Sequence, residues 1–148
     1  MVDIANSITI NRPAGEVFAY VTDLSNEPAW HTDLLEARKT SEGPVGIGTR
    51  YQVRFKPFMG NSEGTNEVIG FEPNRLQVVR GEVGPMRPTV TYLVEPANGG
   101  TRFTRRLQLE ASGLMGLLLP LMRFMIVRSN AGFVANLKRV LEQESPRL

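Results

Sequence analysis

From Leu35 to Glu110 the chain repeats one pattern, a short segment of alternating apolar and polar residues followed by a tight break. Alternation is the period of a half-buried strand, because successive side chains point to opposite faces. Leu35–Thr40, Arg50–Lys56, Asn66–Phe71, Arg75–Arg80, Thr89–Val94 and Thr101–Glu110 carry it. The breaks are Gly46-Ile47-Gly48, Met59-Gly60-Asn61, Glu72-Pro73-Asn74, Gly84-Pro85 and Pro96-Ala97-Asn98-Gly99-Gly100, all built from turn-forming residues. A parallel pair would need a crossover of about a dozen residues, and these connections leave no room for one. With Ser7–Asn11 added at the front, the pattern predicts a curved antiparallel sheet of six or seven strands.

The helical period appears at both ends of this run. Pro13 suits a first helical turn because it has no amide hydrogen to leave unpaired, and Val17, Phe18, Tyr20 and Val21 follow as one apolar stripe. Ser25-Asn26-Glu27-Pro28-Ala29-Trp30 offers a cap residue, an early acid and a proline, which fits a second, very short helix. After Gly113 a long helix is expected from Pro120 to about Glu144, before Pro146. Its face of Leu119, Arg123, Ile126, Val127, Asn130, Phe133, Val134, Leu137, Val140 and Leu141 would lie on the sheet. The stretch Leu114–Val127 is the most apolar in the chain. It falls short of the roughly 20 residues of a spanning helix and carries Pro120 and Arg123, so it is not read as transmembrane.

A length of 148 residues fits a single α+β domain over 1–148 with a core large enough to need no staple. The absence of cysteine removes disulfides, thiolate metal sites and cysteine nucleophiles together, and His31 is the only histidine. No metal or other cofactor is expected. Met1-Val2-Asp3-Ile4 lacks the basic and apolar parts of an export signal, so a cytoplasmic location is the simplest expectation. The net charge of +2 comes from scattered basic residues rather than a clustered face, which argues against nucleic acid.

The order strand, two short helices, a run of strands and a long C-terminal helix resembles the START-like helix-grip superfamily, and in detail its polyketide cyclase/dehydrase (SRPBCC) branch. The residues that carry the resemblance are Ile8-Thr9-Ile10, Pro13-Ala14, Val17 to Asp23, Trp30, Gly46 to Tyr51, Phe71 to Leu76, Gly99 to Phe103 and Leu137 to Glu142. The resemblance implies a cavity between sheet and helix. It leaves the function open, because members carry lipids, sterols and aromatic polyketides or catalyse ring closure.

Strand alternation says which residues would face such a cavity. In Arg50–Lys56 the apolar set is Tyr51, Val53 and Phe55, with every charge opposite. In Thr101–Glu110 one face holds Phe103, Arg105, Leu107 and Leu109, so Arg105 breaks its own pattern. An inward arginine is costly unless paired or in contact with water or ligand. Three arrangements relieve it: an anchor for a carboxylate or enolate oxygen, a bulge that turns it outward, or a structural pair with Glu67. Asn130 interrupts the apolar helix face, where it would reach a ligand or satisfy backbone. The residues expected to contact a ligand are Trp30, Tyr51, Val53, Phe55, Val68, Tyr92, Phe103, Arg105, Ile126, Asn130 and Phe133. Trp30 fits core better than lid.

His31 and Asp33 have the makings of a general-base pair, yet no serine or cysteine nucleophile is placed by a motif, so His31 is expected to be a solvated surface residue. Gly46-Ile47-Gly48 precedes a strand, whereas phosphate cradles precede helices. Leu121, Met122, Phe124 and Met125 lie off the main helix face, where a pocket rim, a membrane surface, a homodimer contact and packing under the glycine-rich loops all compete. The function expected first is binding or carrying a hydrophobic small molecule. A cyclase or dehydratase using Tyr51, Tyr92, Arg105 and Asn130 comes second, and a protein- or membrane-interaction module third. No motif identifies a catalytic residue.

Overall fold

The computed structural model describes residues 1–58 and 60–143. Met59, Glu144 and Pro146, which the sequence places in a turn and at the helix end, lie outside them.

Seven strands form one antiparallel sheet: β1 Val2–Ile10, β2 Leu34–Lys39, β3 Arg50–Phe58, β4 Asn61–Glu72, β5 Leu76–Val83, β6 Met86–Ala97 and β7 Gly100–Ala111. The order across it is β1-β7-β6-β5-β4-β3-β2, so each hairpin neighbour in sequence is a neighbour in space, and β1 closes on β7. Asn74 (φ 61°) and Gly84 (φ +57°) supply the left-handed backbone that two of the turns require. The strands run longer than the sequence suggests. The added residues continue the ladder where alternation fades, at Val2–Asn6 and Asn61–Thr65.

Between β1 and β2 lie α1, Ala14–Thr22, and a 3-10 turn, Leu24–Ala29. With three residues per turn, Leu24, Glu27 and Trp30 come round to one side. All three are buried, which brings a carboxylate inside with two apolar side chains.

The C-terminal helix differs from its expected form. Pro120 cannot extend an α-helix through itself without losing a hydrogen bond and clashing one turn back. The chain answers with a short α2, Gly113–Leu118, a 3-10 turn, Leu119–Met122, and only then α3, Arg123–Gln143. Joined end to end, Gly113–Gln143 is long and apolar enough by composition to cross a membrane, with a mean hydropathy of 1.3 in its 18-residue window. Its inner face is committed to the sheet, however: Met115, Leu119, Asn130, Phe133, Val134, Leu137 and Leu141 are buried there. Arg123, expected on that face, is exposed.

The main core gathers Ile10, Val17, Phe18, Trp30, Tyr51, Val53, Val68, Phe103 and Leu137 among its members. A smaller core of Val2, Ile4, Met115 and Leu119 sits beneath α2. The free edge of β1 is stitched to α3. Lys138 Nζ donates to the Thr9 carbonyl at 2.7 Å, and Glu142 accepts from the Asn11 amide at 2.8 Å. At the other edge, β2 is six residues long and carries Glu36, Arg38 and Lys39.

Candidate functional site

Sheet register puts one polar row across the concave face. Asn6 lies opposite Arg105, Arg105 opposite Tyr92, and Tyr92 opposite Gln77, one residue from each of β1, β7, β6 and β5. Because paired residues in an antiparallel ladder point the same way, the row shares a face. Glu27 from the 3-10 turn and Asn130 from α3 close over it. Tyr92 Oη donates to Glu27 Oε1, and Arg105 Nη1 donates to Asn130 Oδ1. Arg105 Nη2 lies 3.9 Å from Glu27 Oε2. Asn130 Nδ2 donates in turn to Asn6 Oδ1 at 2.7 Å and to the Arg105 carbonyl at 3.1 Å. The guanidinium carbon also stands 6.0 Å from the Trp30 ring centre and 5.7 Å from that of Phe133.

This network excludes two of the three arrangements for Arg105. The side chain is 5% exposed, and β7 keeps an unbroken register on both sides of it, so no bulge turns it out. Glu67 is not its partner. It lies on the outer face of β4, exposed, opposite Arg50 and Arg80. The partner is Glu27, read in the sequence only as an early acid of a short helix. Its signal was the three-residue spacing from Leu24 to Trp30, which an α-helical reading disperses.

Beside the polar row opens a cavity of about 380 Å³ between the inner face of β5–β7 and α3. Val79, Val83, Val90, Leu107, Leu109, Ile126 and Phe133 form most of its wall. Glu27, His31, Tyr92, Arg105 and Asn130 contribute the polar part, and Phe58, Met122 and Met125 are among the rest. Gly81 keeps a stretch of wall flat: a Cβ there would sit 2.5 Å from Asn66 Oδ1 and 3.2 Å from Pro88 Cγ. Of the residues expected to contact a ligand, Phe55, Tyr92, Arg105, Ile126, Asn130 and Phe133 line this space. Trp30, Tyr51, Val53, Val68 and Phe103 do not; they are packed in the main core. Tyr51 accepts from the Leu24 amide at 3.4 Å, which holds the 3-10 turn to β3.

Burial governs the electrostatics. It raises the Glu27 carboxyl above its usual 4.5, against the opposite pull of Arg105 and the Tyr92 hydroxyl. Burial and the Glu27 charge together push the Tyr92 phenol well above 10. His31 is 8% exposed rather than solvated, because it stacks on Phe133 with ring centres 3.9 Å apart. Burial, then the charge of Arg105, hold its imidazole well below 6.5, so it is neutral. Asp33 is exposed and lines the cavity.

A pH dependence follows from His31. Below pH 6.5 the unfolded chain takes up a proton that the folded state refuses. The stabilisation from neutral His31 is therefore present above 6.5 and lost as pH falls, by up to about 1.4 kcal/mol per pH unit. His31→Phe keeps an aromatic ring against Phe133 and removes this titration. Urea unfolding of both proteins should show the variant gaining on wild type as the medium is acidified from neutral. Glu27 acts with the opposite sign, but it is common to both and cancels. A stability difference independent of pH would place a charged imidazole in the folded state.

The model of the family described as polyketide cyclase / dehydrase and lipid transport matches residues 1–142. No curated protein matches the chain. Among solved structures, a START superfamily protein from Mycobacterium smegmatis is similar with a TM-score of 0.78 at 12% identity, over 98% of this chain and 100% of that one. A protein from Thermus thermophilus is similar with a TM-score of 0.76 at 17% identity, over 97% and 99%. The di-domain ARO/CYC StfQ from the steffimycin biosynthetic pathway is similar with a TM-score of 0.74 at 11% identity, over 97% of this chain and 51% of that one. At these identities the likeness is one of fold.

Proposed function

The chain belongs to the polyketide cyclase / dehydrase and lipid transport family, and on that footing we propose that it binds a hydrophobic small molecule in the cavity between the sheet and α3. The observation that carries this is the cavity itself: about 380 Å³, mainly apolar, with buried polar groups gathered on one side. Ligand sites commonly occupy about 300–1,000 Å³ with that division of lining. At about 25 cal/mol per Å² of apolar surface, a lipid, sterol-like or aromatic polyketide-like molecule burying roughly 200 Å² gains about 5 kcal/mol before ordering costs. The polar side would set its orientation.

Native mass spectrometry of protein purified from its own host tests this directly, the expected result being a co-purified hydrophobic molecule. Val90→Trp places an indole in the cavity and should abolish that adduct, with thermal stability followed alongside. A Val90→Trp protein that keeps the adduct would place the ligand elsewhere.

A second reading, a cyclase or dehydratase, is favoured by one arrangement: Tyr92 and Glu27 share a hydrogen bond beside Arg105 on the cavity wall. A phenol backed by a carboxylate suits proton transfer, and a guanidinium suits a developing enolate. Tyr51 drops out of this set because it faces the core. Recovery of an added aromatic polyketide in cyclised or dehydrated form would favour the enzyme, and recovery unchanged the carrier.

A further inference from the structure

Five of the large exposed apolar side chains cluster on the helical run before and at the start of α3. Leu114 is 66% exposed, Leu117 76%, Leu121 81%, Phe124 74% and Met125 56%. Their spacing of three, four and three residues from Leu114 to Phe124 returns them to one side of successive turns. The opposite side, with Met115 and Leu119, is buried against Val2 and Ile4. An apolar stripe of this size on a protein surface marks a contact site.

Charge selects the contact. No acidic residue occurs from Ala111 to Leu141, whereas Arg123 and Arg128 are both exposed within or next to the stripe. The nearby acids are matched elsewhere: Asp3 is bonded to Arg106 at 2.7 Å, and Glu110 lies opposite Arg87 in the β6–β7 register. A symmetric pairing of two copies through this stripe would bring their arginines together with no acid on the segment to meet them. An anionic lipid surface meets both features at once, phosphates for the arginines and the acyl boundary for Leu, Phe and Met. Met115 and Leu119 on the same run are buried against Val2 and Ile4, so the run lies along the protein with its opposite side outward.

We propose that Gly113–Arg128 docks on the interface of an anionic phospholipid bilayer, lying in its plane. Met122 and Met125 belong both to this segment and to the cavity wall. Docking therefore sets the cavity wall that these two methionines form against the acyl region, where an apolar ligand meets it. The docking surface stands independently of the ligand reading, because Leu121 and Phe124 do not line the cavity.

The test is co-sedimentation with vesicles of phosphatidylcholine alone and of phosphatidylcholine mixed with phosphatidylserine, with light scattering for oligomeric state. Wild type should sediment with the mixed vesicles and lose about tenfold or more in binding on pure phosphatidylcholine or at high salt. Leu121→Asp with Phe124→Asp should abolish sedimentation while the circular dichroism spectrum stays that of wild type. Arg123→Glu with Arg128→Glu should remove the preference for phosphatidylserine. Wild type that stays in the supernatant, or an aspartate variant that binds as well as wild type, overturns the proposal. So does a wild-type dimer that the aspartate variant converts to monomer without any vesicle binding, which would assign the stripe to a second copy. Wild type that binds vesicles yet carries no hydrophobic adduct would sink the ligand reading and leave this one standing.

Discussion

Arg105→Met is expected to lower the folding free energy by about 3–5 kcal/mol, because it leaves the Glu27 carboxylate buried without its cation. Glu27 is 6% exposed and its remaining partner is the Tyr92 hydroxyl. Asn130 loses a donor in the same step. Adding Glu27→Gln should recover most of the loss, since a neutral amide still meets Tyr92 and no isolated charge remains. Equilibrium denaturation of the two variants checks this. A single variant as stable as wild type would show that Glu27 is held as the protonated acid and that Arg105 is free to serve a ligand. With the loss as expected, reduced activity in an Arg105 variant reports folding as much as chemistry.

Trp30→Ala is expected to cost a similar amount, about 3–5 kcal/mol, as removal of a fully buried indole does. The ring is 0% exposed and stands edge-on to Tyr92 and Phe103 at 6.1 and 6.2 Å. A lid over the cavity would behave in the reverse way, with ligand affinity falling while stability held. Thermal unfolding and adduct formation measured on one sample separate the two. Unchanged unfolding would move Trp30 out of the core.

The antiparallel architecture was legible because alternation and turn chemistry agreed at almost every break. The inner face of the two most regular strands was legible too: Tyr51, Val53 and Phe103 point inward as their parity requires, and the structure settles Arg105, which the sequence left open, on the same side. Depth was not. Parity says which side of the sheet a residue takes, and it does not say whether α3 presses on that part of the sheet or stands away from it. Tyr51, Val53, Val68 and Phe103 fall where the small helices and α3 close down, whereas Val90, Leu107 and Leu109 fall where space remains. Glu27 and His31 escaped for a related reason. Their burial depends on a 3-10 turn folding back over the sheet, a tertiary event with no local periodicity to announce it. The break at Pro120 was written in the sequence, but as the start of a helix rather than a joint between two.

The stitching of β1 to α3 bears on how this protein behaves when crowded. An open sheet margin offers unpaired amides and carbonyls to any extended chain that drifts past. Here Lys138 and Glu142 occupy such groups at Thr9 and Asn11. The opposite margin is short, charged and irregular, with its register shifting between Leu34 and Glu36. One flank is thus interrupted at its end and the other along its length, which shortens the run that a neighbouring chain could extend beside the hollow.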